Sequence, residues 1–168
     1  MRLGLALLSL VTLQRIGELM WARRNTRRLK ARGAIEIGAK HYGLIVFVHA
    51  AWLLGLWALA WDRPLIPGWA GVYISLQAAR IWVLASLGER WTTRIVVLPK
   101  APLVRAGPYR FMSHPNYLVV VAEIAVLPLA YGLPGYAVFF SLVNAAVLRI
   151  RIRAETRALE QFSMLQAT

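Results

Sequence analysis

Five long apolar stretches constrain this chain more than any other feature of its sequence. A helix that crosses a bilayer needs about 20 mostly apolar residues. A soluble domain carries roughly 25% charged residues, whereas this chain of 168 residues is 59% hydrophobic and 16% charged. The stretches that predict spanning helices are 3–21, 41–61, 65–87, 115–131 and 134–150. We therefore predict an all-α, polytopic membrane helix bundle.

The predicted bundle forms one domain over residues 1–168. Residues 1–88 would hold the first three helices, and residues 89–168 a long loop, a helical hairpin and a cytoplasmic amphipathic helix at the carboxy terminus. The hairpin is predicted because the tight sequence Gly132-Leu133-Pro134-Gly135 joins the last two apolar stretches, and proline is favoured in the first turn of a helix.

Most of the basic residues lie in three segments that alternate with the apolar stretches. Sixteen of the 20 Lys and Arg residues fall within residues 23–40, 90–110 and 149–157. Five crossings place these segments on one side of the membrane, and the positive-inside rule makes that side cytoplasmic. The formal net charge of +13 is therefore interpreted as a topology signal and an attraction to anionic membrane lipid, and no nucleic-acid partner is expected.

The composition also excludes several kinds of site. The chain contains no cysteine, which excludes disulfides, thiol nucleophiles and cysteine-ligated zinc. No cluster of His, Asp and Glu has the spacing of metal ligands, so no metal site is predicted. A glycine-rich G-x-G-x-x-G sequence is missing, which excludes a Rossmann nucleotide-binding domain.

A few polar residues lie inside the apolar stretches, where burial is costly and usually directs a side chain toward protein or a cavity. Helical spacing places Gln14, Arg15 and Glu18 on one face of the first helix. Gln77 and Arg80 share a face of the third helix with Tyr73, Glu123 is the most isolated carboxylate, and His49 is predicted to be a hydrogen-bonded core histidine. For the charged residues, mutual pairing and a ligand contact both remain open.

Two further positions combine a reactive side chain with a helix. His114 directly precedes the fourth helix, so its imidazole and the free N–H groups of a helix start could bind an anionic or polar group. At about 100° per residue, Glu155 lies in the middle of the apolar stripe of the carboxy-terminal helix. A carboxylate there is costly unless it is paired, and an arginine partner and a ligand are equal alternatives. The stripe consists of Leu148, Ile152, Leu159 and Phe162.

Three short motifs resemble those of the isoprenylcysteine carboxyl methyltransferase family. They are Gly107-Pro108-Tyr109-Arg110, His114-Pro115-Asn116-Tyr117, and Arg151-Ile152 followed by Glu155 and Leu159. The usual family form is G-P-Y-x-x-x-R-H-P-x-Y, then, after a hairpin, R-I-x-x-E-E-x-x-L. This chain departs from that form at Ser113, where the family has arginine, and at Thr156, where it has a second glutamate.

The resemblance implies an enzyme that uses S-adenosylmethionine to methylate a lipophilic small molecule at a bacterial inner membrane, with the active site toward the cytoplasm. It implies that His114 and Tyr117 contact the cofactor, that Glu155 holds its ribose or amino group, and that Leu103 and Val104 contact adenine. Gly107, Tyr109 and Pro115 complete the implied cofactor-binding set.

The acceptor implied by the resemblance is either the carboxylate of a prenylated cysteine-like compound or the hydroxyl of a long-chain polyketide. Arg110 could replace the missing arginine and hold an oxyanion, and Glu123 is a candidate base by its chemistry; both are predicted as catalytic residues. An NADPH-dependent sterol or enone reductase and a non-enzymatic membrane scaffold are the alternative functions. The sequence leaves the oligomeric state open.

Overall fold

A computed structural model describes residues 2–99, 101–102 and 104–164 of the chain. Its five long helices are α1 (Arg2–Ala31), α2 (Ala39–Ala60), α3 (Pro67–Leu87), α4 (Pro115–Ala130) and α5 (Pro134–Met164). The strands β1 (Ile35–Ile37) and β2 (Ile95–Val97) and the 3₁₀ turns Gly88–Arg90 and Gly107–Arg110 lie between them. The predicted all-α membrane bundle is confirmed: α1, α2, α3 and α5 are long and apolar enough to cross a membrane.

The fourth helix is apolar but short. Its 16 residues extend about 24 Å at 1.5 Å per residue, less than the roughly 30 Å of a bilayer's hydrocarbon core. It lies between α3 and α5, and Val119, Ile124 and Leu127 are among its buried residues. The neighbouring helices therefore cover much of α4.

The carboxy-terminal part differs from the prediction. The sequence analysis separated the second arm of the hairpin from an amphipathic helix, whereas α5 is one continuous helix of 31 residues. No proline or glycine interrupts the chain between Gly135 and Met164, so the backbone hydrogen bonds continue where the charges begin. The helix therefore extends about 46 Å, from the apolar bundle into the basic segment.

The structure brings the three basic segments together at one end of the bundle, called the basic end below. There β1, which follows α1, pairs antiparallel with β2, and α5 contacts both strands. At the opposite end the Tyr131 hydroxyl donates to the Gly4 carbonyl over 2.7 Å, and the Ile66 N–H donates to the Ala130 carbonyl over 2.8 Å. The five helices thus alternate in direction, which confirms the predicted arrangement of the basic segments.

Candidate functional site

The two-stranded sheet fastens the loop between α3 and α4 to the rest of the basic end. Glu36 of β1 lies opposite Val96 of β2 and accepts hydrogen bonds from Lys30, over 2.5 Å, and from Arg94. The Arg94 guanidinium in turn lies 4.2 Å from the ring centroid of Tyr42. The hydrogen bond from Lys30, helped by Arg94, holds the pKa of Glu36 below its ordinary value. An ionised Glu36 therefore joins α1 to the loop that carries the motifs.

The 3₁₀ turn Gly107–Arg110 fixes the next part of that loop against α3. Gly107 has a φ of +54°, and a Cβ built there would lie 2.1 Å from the Ser86 hydroxyl oxygen. Pro108 is buried, and Tyr109 packs against a small apolar cluster that includes Trp91. Burial and the nearby negative charge of Glu155 raise the pKa of Tyr109 to about 12. The turn requires glycine at its first position both for its φ and for space.

Four side chains from the predicted motifs meet where α4 begins and α5 leaves the bundle. The Tyr117 hydroxyl donates to a Glu155 carboxylate oxygen, and Arg151 Nε donates to the Tyr117 hydroxyl over 2.9 Å. The His114 ring stacks on Tyr117 with 5.2 Å between centroids and 21° between planes, and His114 Nδ1 lies 4.0 Å from Glu155. Glu155 thus has a tyrosine partner and a histidine neighbour. The sequence analysis left two alternatives for Glu155, an arginine partner and a ligand contact. Within the described part of the chain, the neighbours observed are a tyrosine and a histidine, not an arginine.

The chemistry of this cluster suits a ligand with polar donors and a cationic centre. The His114 and Glu155 side chains are 30% and 28% exposed, so both are accessible from the basic end. Among the described residues, the buried Oδ1 atom of Asn116, which precedes Tyr117 in the chain, has no hydrogen-bond partner, and a buried acceptor without a donor is costly. Aromatic faces attract cations. A ligand that carries hydroxyl or amino donors and a positive charge fits these acceptors and aromatic rings.

The predicted N–H donors at the start of α4 are only partly available. The N–H groups of Tyr117 and Leu118 both donate to the His114 carbonyl, over 3.1 and 3.4 Å, and Pro115 has no N–H. A ligand at this helix start would therefore rely on side chains more than the sequence suggested.

The polar residues inside the spans form a second cluster, which we call the buried ion cluster. It is made by two arginines and two glutamates, so its formal charge is zero. Glu123 has no exposed surface and accepts hydrogen bonds from Arg15 and Arg80, both over 2.7 Å, and from Gln77 over 2.8 Å. Glu18 accepts from Arg80 at both carboxylate oxygens, over 2.6 and 2.5 Å. Of the two alternatives left open, mutual pairing is the one observed.

The hydrogen bond predicted for His49 is present. His49 is half-buried, and its Nδ1 atom lies 2.8 Å from the Ile45 carbonyl oxygen of its own helix. Among the residues that the structure describes, no group of three or more His, Asp or Glu side chains could hold a metal ion.

Comparison with known proteins assigns the family. The family model of isoprenylcysteine carboxyl methyltransferases matches residues 69–161, more than half of the chain. The chain belongs to the isoprenylcysteine carboxyl methyltransferase family. The resemblance inferred from the motifs is thereby confirmed, and membership supports a membrane methyltransferase.

Two similar proteins are uncharacterized, so they add no detail on the substrate or the reaction. An uncharacterized protein, YpbQ, from Bacillus subtilis is 41% identical over 163 residues, which cover 94% of this chain and 97% of that protein. An uncharacterized protein from Haemophilus influenzae is 26% identical over 143 residues, which cover 81% and 83% of the two chains. No solved structure matches.

The structure places the remaining motif residues as follows. Pro115 is buried at the start of α4, Val104 is half-buried in the preceding loop, and Arg110 is exposed at the end of its 3₁₀ turn. Leu103 lies outside the described residues, as do the side chains of Leu159 and Phe162. A cofactor role for Leu103, Val104 and Pro115 stays a prediction, as does a catalytic role for Arg110.

Glu123 does not join the cluster around Glu155. It lies six residues after Tyr117, about 9 Å further along α4, inside the buried ion cluster. A catalytic role for Glu123 stays a prediction, and it requires an acceptor to reach a carboxylate with no exposed surface.

Sequence reasoning gave no individual role to Arg151, which stood only inside a motif. Its hydrogen bond to the Tyr117 hydroxyl makes it part of the cluster. That contact depends on how α4 packs against α5, which no local pattern in the sequence shows.

Proposed function

We propose that this protein is an S-adenosylmethionine-dependent O-methyltransferase of the bacterial inner membrane, with its active site toward the cytoplasm and a lipophilic acceptor. The observation that carries the proposal is the joining of His114, Tyr117 and Glu155 in one accessible cluster. All three belong to the set of motif residues that the family resemblance links to the cofactor.

In this proposal each residue of the cluster has a distinct task. One oxygen of Glu155 accepts from Tyr117, and the carboxylate's remaining lone pairs would accept from the ribose hydroxyls or the amino group. His114 stacks on Tyr117, and the Arg151 guanidinium lies 5.7 Å from the centroid of the Tyr117 ring. The outer face of the His114 ring, turned away from Tyr117, would therefore face the positive charge of the ligand. Arg151 holds the Tyr117 hydroxyl over 2.9 Å and acts as a positioning residue.

The loop before α4 would complete the cofactor pocket. Leu103 and Val104 would contact adenine, and Gly107, Tyr109 and Pro115 would form the wall between the loop and α4. The sheet and the buried turn hold this loop against the bundle, so the pocket needs little ordering when the ligand binds.

S-adenosylmethionine, when bound, supplies an electrophilic methyl group on a sulfonium. The protein must then mainly align the acceptor oxygen with that methyl group and exclude water, and alignment of this kind can supply roughly 7–11 kcal/mol. A carboxylate acceptor needs no base, whereas a hydroxyl acceptor needs one or a lowered pKa. Arg110, exposed at the edge of the site, would hold the acceptor oxyanion.

Calorimetry on the protein in detergent tests the proposal. We expect S-adenosylmethionine and S-adenosylhomocysteine to bind, and Glu155→Gln to weaken both about ten- to a hundredfold, because hydrogen bonds to a charged group contribute roughly 1.5–3 kcal/mol. Glu89→Gln is the matched control, since Glu89 is 55% exposed and pairs with Arg28 and Arg32 on the surface. Binding of NADPH with no binding of either sulfur compound would contradict the proposal.

A labelled-methyl assay identifies the acceptor. Purified protein, labelled S-adenosylmethionine and a lipid extract of the native cell should give a labelled lipid, and mild alkaline hydrolysis distinguishes a methyl ester from a methyl ether. Glu155→Gln should abolish the label while the unfolding temperature stays unchanged. Loss of the label together with stability would instead indicate a structural role for Glu155.

A further inference from the structure

One exposed apolar surface at the basic end belongs to a short loop rather than to a spanning helix. Phe111 and Met112 follow the 3₁₀ turn Gly107–Arg110 and are 78% and 43% exposed. Arg105, which precedes the turn, and Arg110, its last residue, are exposed as well. The loop therefore presents two apolar side chains directly after a cationic segment, and we call Phe111 and Met112 the Phe111 tip.

The exposure of the Phe111 tip is built into the turn. The N–H groups of Phe111 and Met112 both donate to the Pro108 carbonyl, over 3.1 and 3.3 Å. Pro108 is buried and Tyr109 packs against the apolar cluster around Trp91. Because Pro108 and Tyr109 hold one side of the turn against the protein, Phe111 and Met112 on the other side are left exposed.

The turn sits beside the lipid-facing side of α3. A Cβ built on Gly107 would lie 3.1 Å from Trp82 Nε1 and 2.1 Å from the Ser86 hydroxyl oxygen. Trp82 is 53% exposed, and its neighbours on this apolar face, Ile74 and Ile81, are 63% and 66% exposed. Such a face of a spanning helix is covered by acyl chains, so the turn borders the bilayer.

The depth of the turn follows from the length of α3. Its 21 residues extend about 31 Å, close to the roughly 30 Å of the hydrocarbon core. Ser86 is the penultimate residue of α3, so Gly107 lies at the edge of the hydrocarbon. Apolar side chains at this level gain by entering the leaflet, and arginines beside them are attracted to anionic headgroups.

We propose that the Phe111 tip is an in-plane membrane anchor that inserts into the leaflet at the basic end of the bundle. Phe111 and Met112 enter the boundary between headgroups and acyl chains, and Arg105 binds headgroup phosphates. Since His114 follows Met112 by two residues, the anchor holds the mouth of the candidate site at the membrane surface. The insertion does not depend on the proposed methyl transfer.

Spin labelling of the full-length protein tests the anchor. The chain contains no cysteine, so Phe111→Cys carries a single nitroxide at an exposed position. In vesicles of phosphatidylcholine and phosphatidylglycerol, collisions with oxygen report the bilayer interior, and collisions with a soluble nickel complex report water. Ile81→Cys, on the lipid-facing side of α3, and Arg157→Cys, exposed on α5, provide the membrane and water references.

We expect the ratio of oxygen to nickel collision rates at position 111 to shift from the Arg157→Cys value toward the Ile81→Cys value. A ratio equal to or below that of Arg157→Cys would overturn the proposal, because the tip would then lie in water. Protection of the label from both reagents would overturn it as well, because protein rather than lipid would cover the tip.

Discussion

Replacing Glu123 by glutamine should destabilise the bundle by about 3–5 kcal/mol, the range found when one partner of a buried ion pair is removed. The carboxylate is completely buried and accepts hydrogen bonds from Arg15, Gln77 and Arg80. Glutamine fills nearly the same volume but carries no charge. Two guanidinium groups would then face only the carboxylate of Glu18, which leaves one positive charge uncompensated inside the bundle.

A double variant separates this charge imbalance from the loss of individual contacts. Arg80→Met alone should destabilise the bundle, because Glu18 and Glu123 would share only Arg15 as a cationic partner. Arg80→Met combined with Glu123→Leu restores a neutral cluster made of Arg15 and Glu18, which lie 3.2 Å apart. We therefore expect the double variant to lose less than the sum of the single losses, with a coupling of about 0.5–3 kcal/mol.

Equilibrium unfolding in mixed micelles, followed by the fluorescence of the seven tryptophans, measures these free energies. Unchanged stability of Glu123→Gln would refute the charge argument, and so would strict additivity in the double variant. A Glu123→Gln protein that is as stable as the wild type but transfers no methyl group would instead support the catalytic role predicted from the sequence.

Three further predictions concern the basic end and the topology. The folded-state pKa of Glu36 is lowered, so the stability from its ion pairs is present at neutral pH and is lost as the pH falls through that lowered pKa. Hydrogen-exchange protection of the sheet should therefore fall in acid. Glu36→Gln should remove this pH dependence. Gly107→Ala should cost about 1–3 kcal/mol in thermal unfolding, from strain at positive φ and a clash, whereas Gly135→Ala, with nothing within 4 Å of its Cβ, should be tolerated. In intact cells, an impermeant thiol reagent should label Arg63→Cys but not Arg157→Cys, and the reverse pattern would contradict the proposed orientation.

The sequence predicts α2, α3 and α4 closely because their determinants are local, whereas the first helix, predicted over 3–21, continues to Ala31 through the first charges of the basic segment. The fourth helix was predicted over 115–131 and spans Pro115–Ala130, since a proline begins it and the glycine-containing turn at 132–135 follows it. The continuity of α5 was missed for a physical reason. The charges from Arg149 onward indicate where the chain leaves the membrane, but a change of solvent does not require a helix to end.

The candidate site could be predicted only in part. Glu155 was singled out by its position in the apolar stripe, which is a property of one helix. Its bond from Tyr117 joins residues 38 positions apart and depends on the register between α4 and α5, which no local pattern determines. The buried ion cluster could not be predicted for the same reason, because three helices must pack together before Glu123 can contact Arg15 and Arg80.

The glutamates at the basic end differ in the groups that bind them, and this difference determines where negative charge remains for a ligand. At the basic end, among the described side chains, Glu36 is bound by Lys30 and Arg94, and Glu89 is bound by Arg28 of α1 and by Arg32, which follows α1. Glu155 differs, because among the described side chains its hydrogen bond comes from a phenol and not from a lysine or an arginine. In a chain with a net charge of +13, a cationic ligand is repelled from most of this surface and attracted to such a carboxylate. The same residue therefore explains how a strongly basic protein would attract a cationic ligand to this site, and why glutamine at this one position should weaken binding about ten- to a hundredfold while leaving the bundle intact.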